Sequence, residues 1–159
     1  MSEHYLRKLD ENMGHEEYNM YRAIPAEEIG WENPAHHMTY DEWREYLKTR
    51  IGYEFSEETP RITYIMYLKN YPIGIVSLRL KVTDDGNVSY CIRPVCRGKG
   101  LGKKMLELVI EEAKKLGINI LVGNANKHNV PSWKTMEKCG FEFMNDNDWG
   151  SKQYKLSID

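Results

Sequence analysis

Between residues 62 and 92 the chain reads as short apolar runs broken by turn residues. Ile62-Thr63-Tyr64-Ile65-Met66-Tyr67-Leu68 and Ile73-Gly74-Ile75-Val76-Ser77-Leu78-Arg79-Leu80 are parted by Asn70-Tyr71-Pro72, which predicts strand, turn and strand. Asp84-Asp85-Gly86-Asn87 predicts another turn and Val88 to Ile92 a third strand, completing an antiparallel meander. The period then changes: Leu101, Met105, Leu108, Val109, Ala113 and Leu116 share one face of a helix of about four turns, which Gly117 closes. Ile118 to Val122 predicts a strand. Asn129 as N-cap, Pro131 in the first turn and Gly140 just past the end bracket a second helix. Phe141 to Met144 and Gln153 to Ile158 predict a closing hairpin around residues 145–150.

Upstream, Tyr5 to Leu9 predicts a short strand, and Glu16 to Tyr21 and Tyr40 to Arg50 predict helices separated by a loop from Pro25 to Pro34. Trp43, Tyr46 and Leu47 fall on one helical face and read as packing residues. The order of elements predicts an α+β fold, with a mixed, mostly antiparallel central sheet flanked by helices.

At 159 residues, with no repeat, low-complexity tract or linker, the expectation is one domain. Its net charge of −2 argues against a general nucleic-acid binder. The charge is uneven: residues 1–58 carry fourteen acidic against six basic side chains, a local net of −8, suited to drawing in a cationic acceptor. Cys91, Cys96 and Cys139 form neither an even set nor a paired ligand motif, so free thiols and no metal are expected. His36 and His37 are adjacent and point apart in any regular element, which makes them poor joint ligands. The N-terminal residues lack a signal-like apolar stretch and no run reaches membrane length, so the expected setting is cytoplasmic, with no membrane partner.

The candidate chemistry lies at Arg97-Gly98-Lys99-Gly100-Leu101-Gly102, between the third meander strand and the long helix. Glycines at alternate positions strip one edge of the turn of β-carbons, and the amides of the helix start point at the same spot. Arg93, Arg97, Lys99, Lys103 and Lys104 fall in a window with no acidic residue between Asp85 and Glu107. Cations in a first helical turn oppose the macrodipole unless an anion sits there. The turn therefore reads as a diphosphate cradle. It is one residue too short for a Walker A loop and lacks that motif's hydroxyl after the lysine. It also fails the dinucleotide fingerprint, because Lys103 and Lys104 stand where another glycine is needed.

Arg97, Gly100 and Gly102, preceded by Ile92-Arg93-Pro94, resemble the acetyl-CoA loop of the GNAT (GCN5-related N-acetyltransferase) family. Asn129 and Ser132, in a helix ending Glu137-Lys138-Cys139-Gly140-Phe141, resemble that family's second cofactor element. The resemblance implies the GNAT fold over roughly residues 60–158, with the first 60 residues forming the acceptor side. It implies acetyl-CoA as donor, bound by Ile92, Arg93, Arg97, Gly98, Lys99, Gly100, Leu101, Gly102, Lys103, Asn129 and Ser132. It also implies an amine acceptor, a small molecule or a peptide or protein amine, that attacks the thioester directly in a ternary complex. The alternative is an acyl-CoA-binding module without turnover. Exposed sheet edges allow a homodimer.

A lysine-like amine of pKa about 10.4 is about 99.9 per cent protonated at pH 7, and freeing it costs roughly 4 to 5 kcal/mol. The leaving thiolate, of pKa about 8.5, needs less help. Many relatives place an acid tyrosine where this chain has Met136, which has no proton to give. Tyr90, Ser132 and solvent are the candidate replacements. Glu54, Glu27 and Glu28 are candidates to hold the ammonium or relay its proton. A bulge near Ser89 to Ile92 is implied by the resemblance, its amides polarising the thioester carbonyl.

Overall fold

A computed structural model describes residues 3–28, 31–83, 86–126, 130–146 and 150–158. The elements are β1 His4–Lys8, α1 His15–Ala23, β2 Glu27–Glu28, β3 Trp31–Glu32, α2 Tyr40–Gly52, β4 Arg61–Leu68, β5 Tyr71–Thr83, β6 Gly86–Ile92, α3 Leu101–Lys115, β7 Ile120–Asn126, α4 Val130–Lys138, β8 Glu142–Asp146 and β9 Ser151–Ser157. A seven-stranded sheet runs in the order β1-β4-β5-β6-β7-β9-β8, and β2 pairs with β3 as a separate ribbon. All pairings in the large sheet are antiparallel except β6 with β7. This is the α+β, mostly antiparallel plan that the pattern predicts.

Alternation along the strands sends side chains to two cores. On one face Ile62, Tyr64, Met66, Val76, Leu78, Val88 and Ile92 meet Met105, Leu106, Val109 and Ala113 of α3 and Met136 of α4. On the other, Ile65, Tyr67, Ile75 and Cys91 meet Tyr18, Met20 and Tyr21 of α1 and Trp43 and Leu47 of α2. Trp43 and Leu47 pack as expected, while Tyr46 sits at the margin of this core.

Local contacts explain the helix limits. Thr39 and Glu42 form a reciprocal capping box at the start of α2, with Thr39 N donating to Glu42 Oε1 at 2.9 Å and Glu42 N to Thr39 Oγ1 at 3.2 Å. At α1, Gly14 N donates to Glu17 Oε1, while the Tyr67 hydroxyl donates to the other oxygen at 3.0 Å and ties the helix to β4. Buried Asn33 donates to the carbonyls of Tyr21 and Ile24, closing the far end of α1.

The structure departs from the pattern around the third strand. Gly86 and Asn87, predicted as turn, begin β6, and β7 begins two residues late and runs on to Asn126. Asn87 is absorbed into the sheet because its side chain bonds β7, a long-range partner that no local turn signal reveals. A bulge in β5 leaves Ile73 as the extra residue between the pairs Met66 with Gly74 and Tyr67 with Pro72. A β-carbon at Gly74 would stand 2.6 Å from Met105 Cε, so glycine there lets α3 seat on the sheet.

Candidate active site

The site is built where two parallel strands part. β6 and β7 are paired at one position, Val88 with Gly123. Below it, Asn87 Nδ2 donates to Ile120 O at 2.8 Å and Asn87 Oδ1 accepts from Val122 N at 2.7 Å. Gly86, at φ +80°, lies so close that a β-carbon would come within 2.4 Å of Val122 O. Above it, Ser89 to Ile92 continue along β5 while β7 continues along β9. The register shift recorded between β5 and β6 lies between Leu78 and Thr83, at the root of the joint, and the pairing from Val88 to Ile92 is regular. The bulge implied near Ser89 to Ile92 is thus absent from the β5–β6 ladder. The separation of the strands opens that edge instead.

Tyr90 stands in the opening on the α3/α4 side. Its hydroxyl lies 3.1 Å from Ser132 Oγ and 3.2 Å from Ser132 O, so these two predicted residues are brought together. Burial raises the phenol's pKa, against a smaller lowering from the Ser132 bond, and the group stays protonated at neutral pH. Gly102 completes the wall: a β-carbon there would touch Thr135 Cγ2 at 3.5 Å and Tyr90 Cε2 at 3.9 Å. Met136, in the tyrosine's place, is buried with its sulfur 2.7 Å from where a Gly123 β-carbon would be.

At the far end of β6 a short 3-10 turn, Pro94–Cys96, leads into the glycine turn. Gly98 and Gly100 adopt φ of 78° and 75°, a conformation that favours glycine, with open space in front of both. Gly100 is the N-cap of α3 and supplies no side-chain cap; the first helical bond is Lys104 N to Gly100 O. The amides of Leu101, Gly102 and Lys103 therefore lack helical partners. Leu101 and Ile92 pack on the core, and Lys99 is exposed, as is Lys103.

The predicted arginines make contacts within the scaffold. Arg97 Nε donates to Ile92 O at 2.9 Å, bracing the turn against β6. Arg93 donates to Pro72 O and stacks over Tyr71, 4.8 Å from the ring centre. Asn129 lies outside the described residues. Glu27 is exposed on β2 and Glu28 follows it, with its side chain outside the described part. Glu54 follows α2 and bonds Lys8 of β1 at 2.6 Å. The cleft it lines is formed by β1, β4 and α2, so β5 stands between it and β6.

A polar row that the sequence reading missed crosses the α1/α2 face beside the opening. Thr63 pairs with Ser77, Ser77 with Ser89, and Asn124 with Gln153. The Val88–Gly123 rung sets Ser89 beside Asn124. Thr63 and Ser77 bond each other at 2.9 Å, while the buried Asn124 Oδ1 has no protein partner. Single polar residues interrupting otherwise apolar strands were the available signal. Among the described residues no cluster of His, Cys, Asp or Glu suits a metal, and no helix is long and apolar enough to cross a membrane.

The uncapped α3 start at the end of a parted strand fits a cofactor that carries a diphosphate and a narrow arm. Residues 5–142 match the family pattern described as "Acetyltransferase (GNAT) domain". Among curated proteins the chain is similar to the "Putative phosphinothricin acetyltransferase YwnH" of Bacillus subtilis, 39% identical over 80 residues, or 45% of this chain and 46% of the relative. It also resembles the "L-methionine sulfoximine/L-methionine sulfone acetyltransferase" of Salmonella typhimurium, 34% identical over 53 residues, or 33% and 31%. These matches thus span half or less of the relatives' lengths. Among solved structures it resembles RimL, a ribosomal L7/L12 alpha-N-protein acetyltransferase in complex with coenzyme A, with TM-score 0.74, 16% identity and coverage of 97% and 93%. The microcin C7 self-immunity acetyltransferase MccE, in complex with acetyl-CoA and AMP, has TM-score 0.74, 15% identity and the same coverage. N-acetyltransferase PseH of Campylobacter jejuni has TM-score 0.70, 14% identity and coverage of 98% and 99%. With the motif, the fold and the family pattern in agreement, this chain belongs to the GNAT acetyltransferases.

Proposed function

We propose that this chain moves an acetyl group from acetyl-CoA to the primary amine of a small molecule by direct attack in a ternary complex. The observation that carries the reading is the parting of β6 from β7 directly below an uncapped helix start. The amides of Leu101, Gly102 and Lys103 hold the diphosphate, with Lys99 and Lys103 adding charge and Gly98 and Gly100 setting the backbone. Ile92 lines the strand, and Asn129 and Ser132 serve the pantetheine arm. Arg93 and Arg97 act through the scaffold they brace. The relatives named for phosphinothricin and methionine sulfoximine support a small-molecule acceptor.

The amine nitrogen bonds to the thioester carbonyl carbon, and as the resulting tetrahedral adduct collapses and its C–S bond breaks, the Tyr90 hydroxyl donates a hydrogen bond to the leaving sulfur, with Ser132 orienting it. A thiol of pKa about 8.5 is a stronger acid than a phenol of about 10, so stabilisation by hydrogen bonding, with the final proton drawn from water, suffices. The amine's proton leaves through water in the opening, because Glu54 is engaged by Lys8. Residues 1–60 form the acceptor side and 61–159 the sheet and cofactor side, with β1 added to the sheet. Cysteines outside any disulfide suit a cytoplasmic setting. Exposed Phe143 and Met144 on edge strand β8 support a homodimer.

Thiol release from acetyl-CoA, measured against polyamines, amino acids, aminoglycosides and peptide N-termini, tests the reading. Release with at least one small amine is expected. Tight coenzyme A binding without release across the panel would favour a binding module instead.

A further inference from the structure

Three arginines gather on the α1/α2 face of the sheet. Arg61 of β4 and Arg79 of β5 are direct cross-strand partners, a placement in which like charges repel. Arg50, in the last turn of α2, joins them: its Cζ lies 5.4 Å from the Tyr53 ring centre, and that of Arg61 lies 5.9 Å from the same ring. All three are half-buried. Among the described residues none forms an ion pair with a carboxylate, and Glu54, which lines the same cleft as Arg50 and Arg61, gives its oxygen to Lys8. Burial, with Arg79 and Arg50 close by, pulls the Arg61 pKa below its ordinary value. Among the described residues the cluster is a concentration of positive charge with no ion-paired carboxylate of its own, Glu54 being held by Lys8.

Its position relates it to the acceptor. Arg79 Nη1 donates to Gly86 O at 3.5 Å, at the root of β6 where that strand joins β7. Ser77, two residues before Arg79 on β5, pairs with Ser89, the first residue of β6 beyond the joint. Arg79 thus stands about 7 Å, one side-chain repeat, from the opening and on the same face. The diphosphate turn is another anion site: from Gly86 to Ile92 the strand rises roughly 20 Å before that turn begins.

We propose that Arg61 and Arg79, backed by Arg50, bind the carboxylate of the acetyl acceptor, which makes the acceptor an amino acid with its amine a few bonds from that carboxylate. A guanidinium fork matches a carboxylate in shape and charge, and two facing forks hold it while the amine reaches toward Ser89 and Asn124. The bound anion also removes the repulsion between the arginines. The proposal rests on the acetyl-transfer reading for the word acceptor, but the binding it claims is measurable without turnover.

The test is calorimetric titration of the protein, with and without saturating coenzyme A, using a panel of L-amino acids each paired with its carboxamide. At least one acid is expected to bind tenfold or more tightly than its amide. Arg79→Gln and Arg61→Gln should erase that preference, and Arg79→Lys should restore part of it. The ligand-free glutamine variants should melt at or above the wild-type temperature, since each relieves repulsion. Amides binding as well as acids throughout the panel, or a preference surviving in both glutamine variants, would overturn the proposal. Loss of coenzyme A binding would show separately in the cofactor titration and would count against the acetyl-transfer reading alone.

Discussion

At the scale of single residues, Tyr90 is the group whose chemistry can be read most directly from its surroundings. Its hydroxyl is bonded to Ser132 and stays protonated well past neutral pH, because burial raises a pKa that starts near 10. Tyr90→Phe is expected to lower kcat by roughly ten- to a hundredfold, toward the low end for a lost acid–base group. Wild type should show an alkaline fall in kcat above about pH 10 that the variant lacks; a pH–rate profile checks this. Glu54→Gln should leave kcat within about threefold, because its carboxylate answers to Lys8 rather than to the opening. Met136→Tyr, which restores the family's residue, should destabilise the protein by about 1 to 3 kcal/mol through overpacking against Gly123. Chemical denaturation would measure it.

At the scale of elements, two structures carry the site: the joint between β6 and β7, and the turn into α3. Asn87→Leu leaves Ile120 O and Val122 N without partners in a buried joint, and is expected to cost about 2 to 4 kcal/mol by denaturant midpoint. Gly100→Val forces a β-branched residue to φ 75°, and calorimetry should show coenzyme A affinity falling tenfold or more. The turn was legible because its signals are local: glycine spacing, a preceding strand and a following helical period all lie within twenty residues. The joint was not. Asn87 looks like a turn residue among Asp84, Asp85 and Gly86, and only its reach to β7, more than thirty positions on, turns it into sheet. The register that aligns Thr63, Ser77 and Ser89 with Asn124 was hidden for the same reason, although each polar interruption was visible in its own strand.

At the scale of the whole molecule, two cores lie on opposite faces of one sheet, one under α3 and α4 and the other under α1 and α2. In the proposed function the first pair of helices serves the donor and the second shelters the acceptor. The fold class and element order followed from periodicity, and the family from a motif. Charge reads differently at the two scales: the acidic excess of the first 58 residues suggests a cationic guest such as an amine, while half-buried Arg50, Arg61 and Arg79 form a local basic cluster within an acidic region. Net charge averages over a surface, whereas a guest meets only the groups that line its path.

The joint between β6 and β7 has a consequence for handling the protein. Among the described residues β6 and β7 pair only at Val88 with Gly123, and beyond that rung Ile92 O is taken by Arg97 Nε while the rest of the β7-facing edge is open to an incoming chain, the condition in which sheets recruit strangers. Concentrated stocks free of coenzyme A should scatter more light over time than stocks stored with it. Purification with the nucleotide present would then preserve a monodisperse sample.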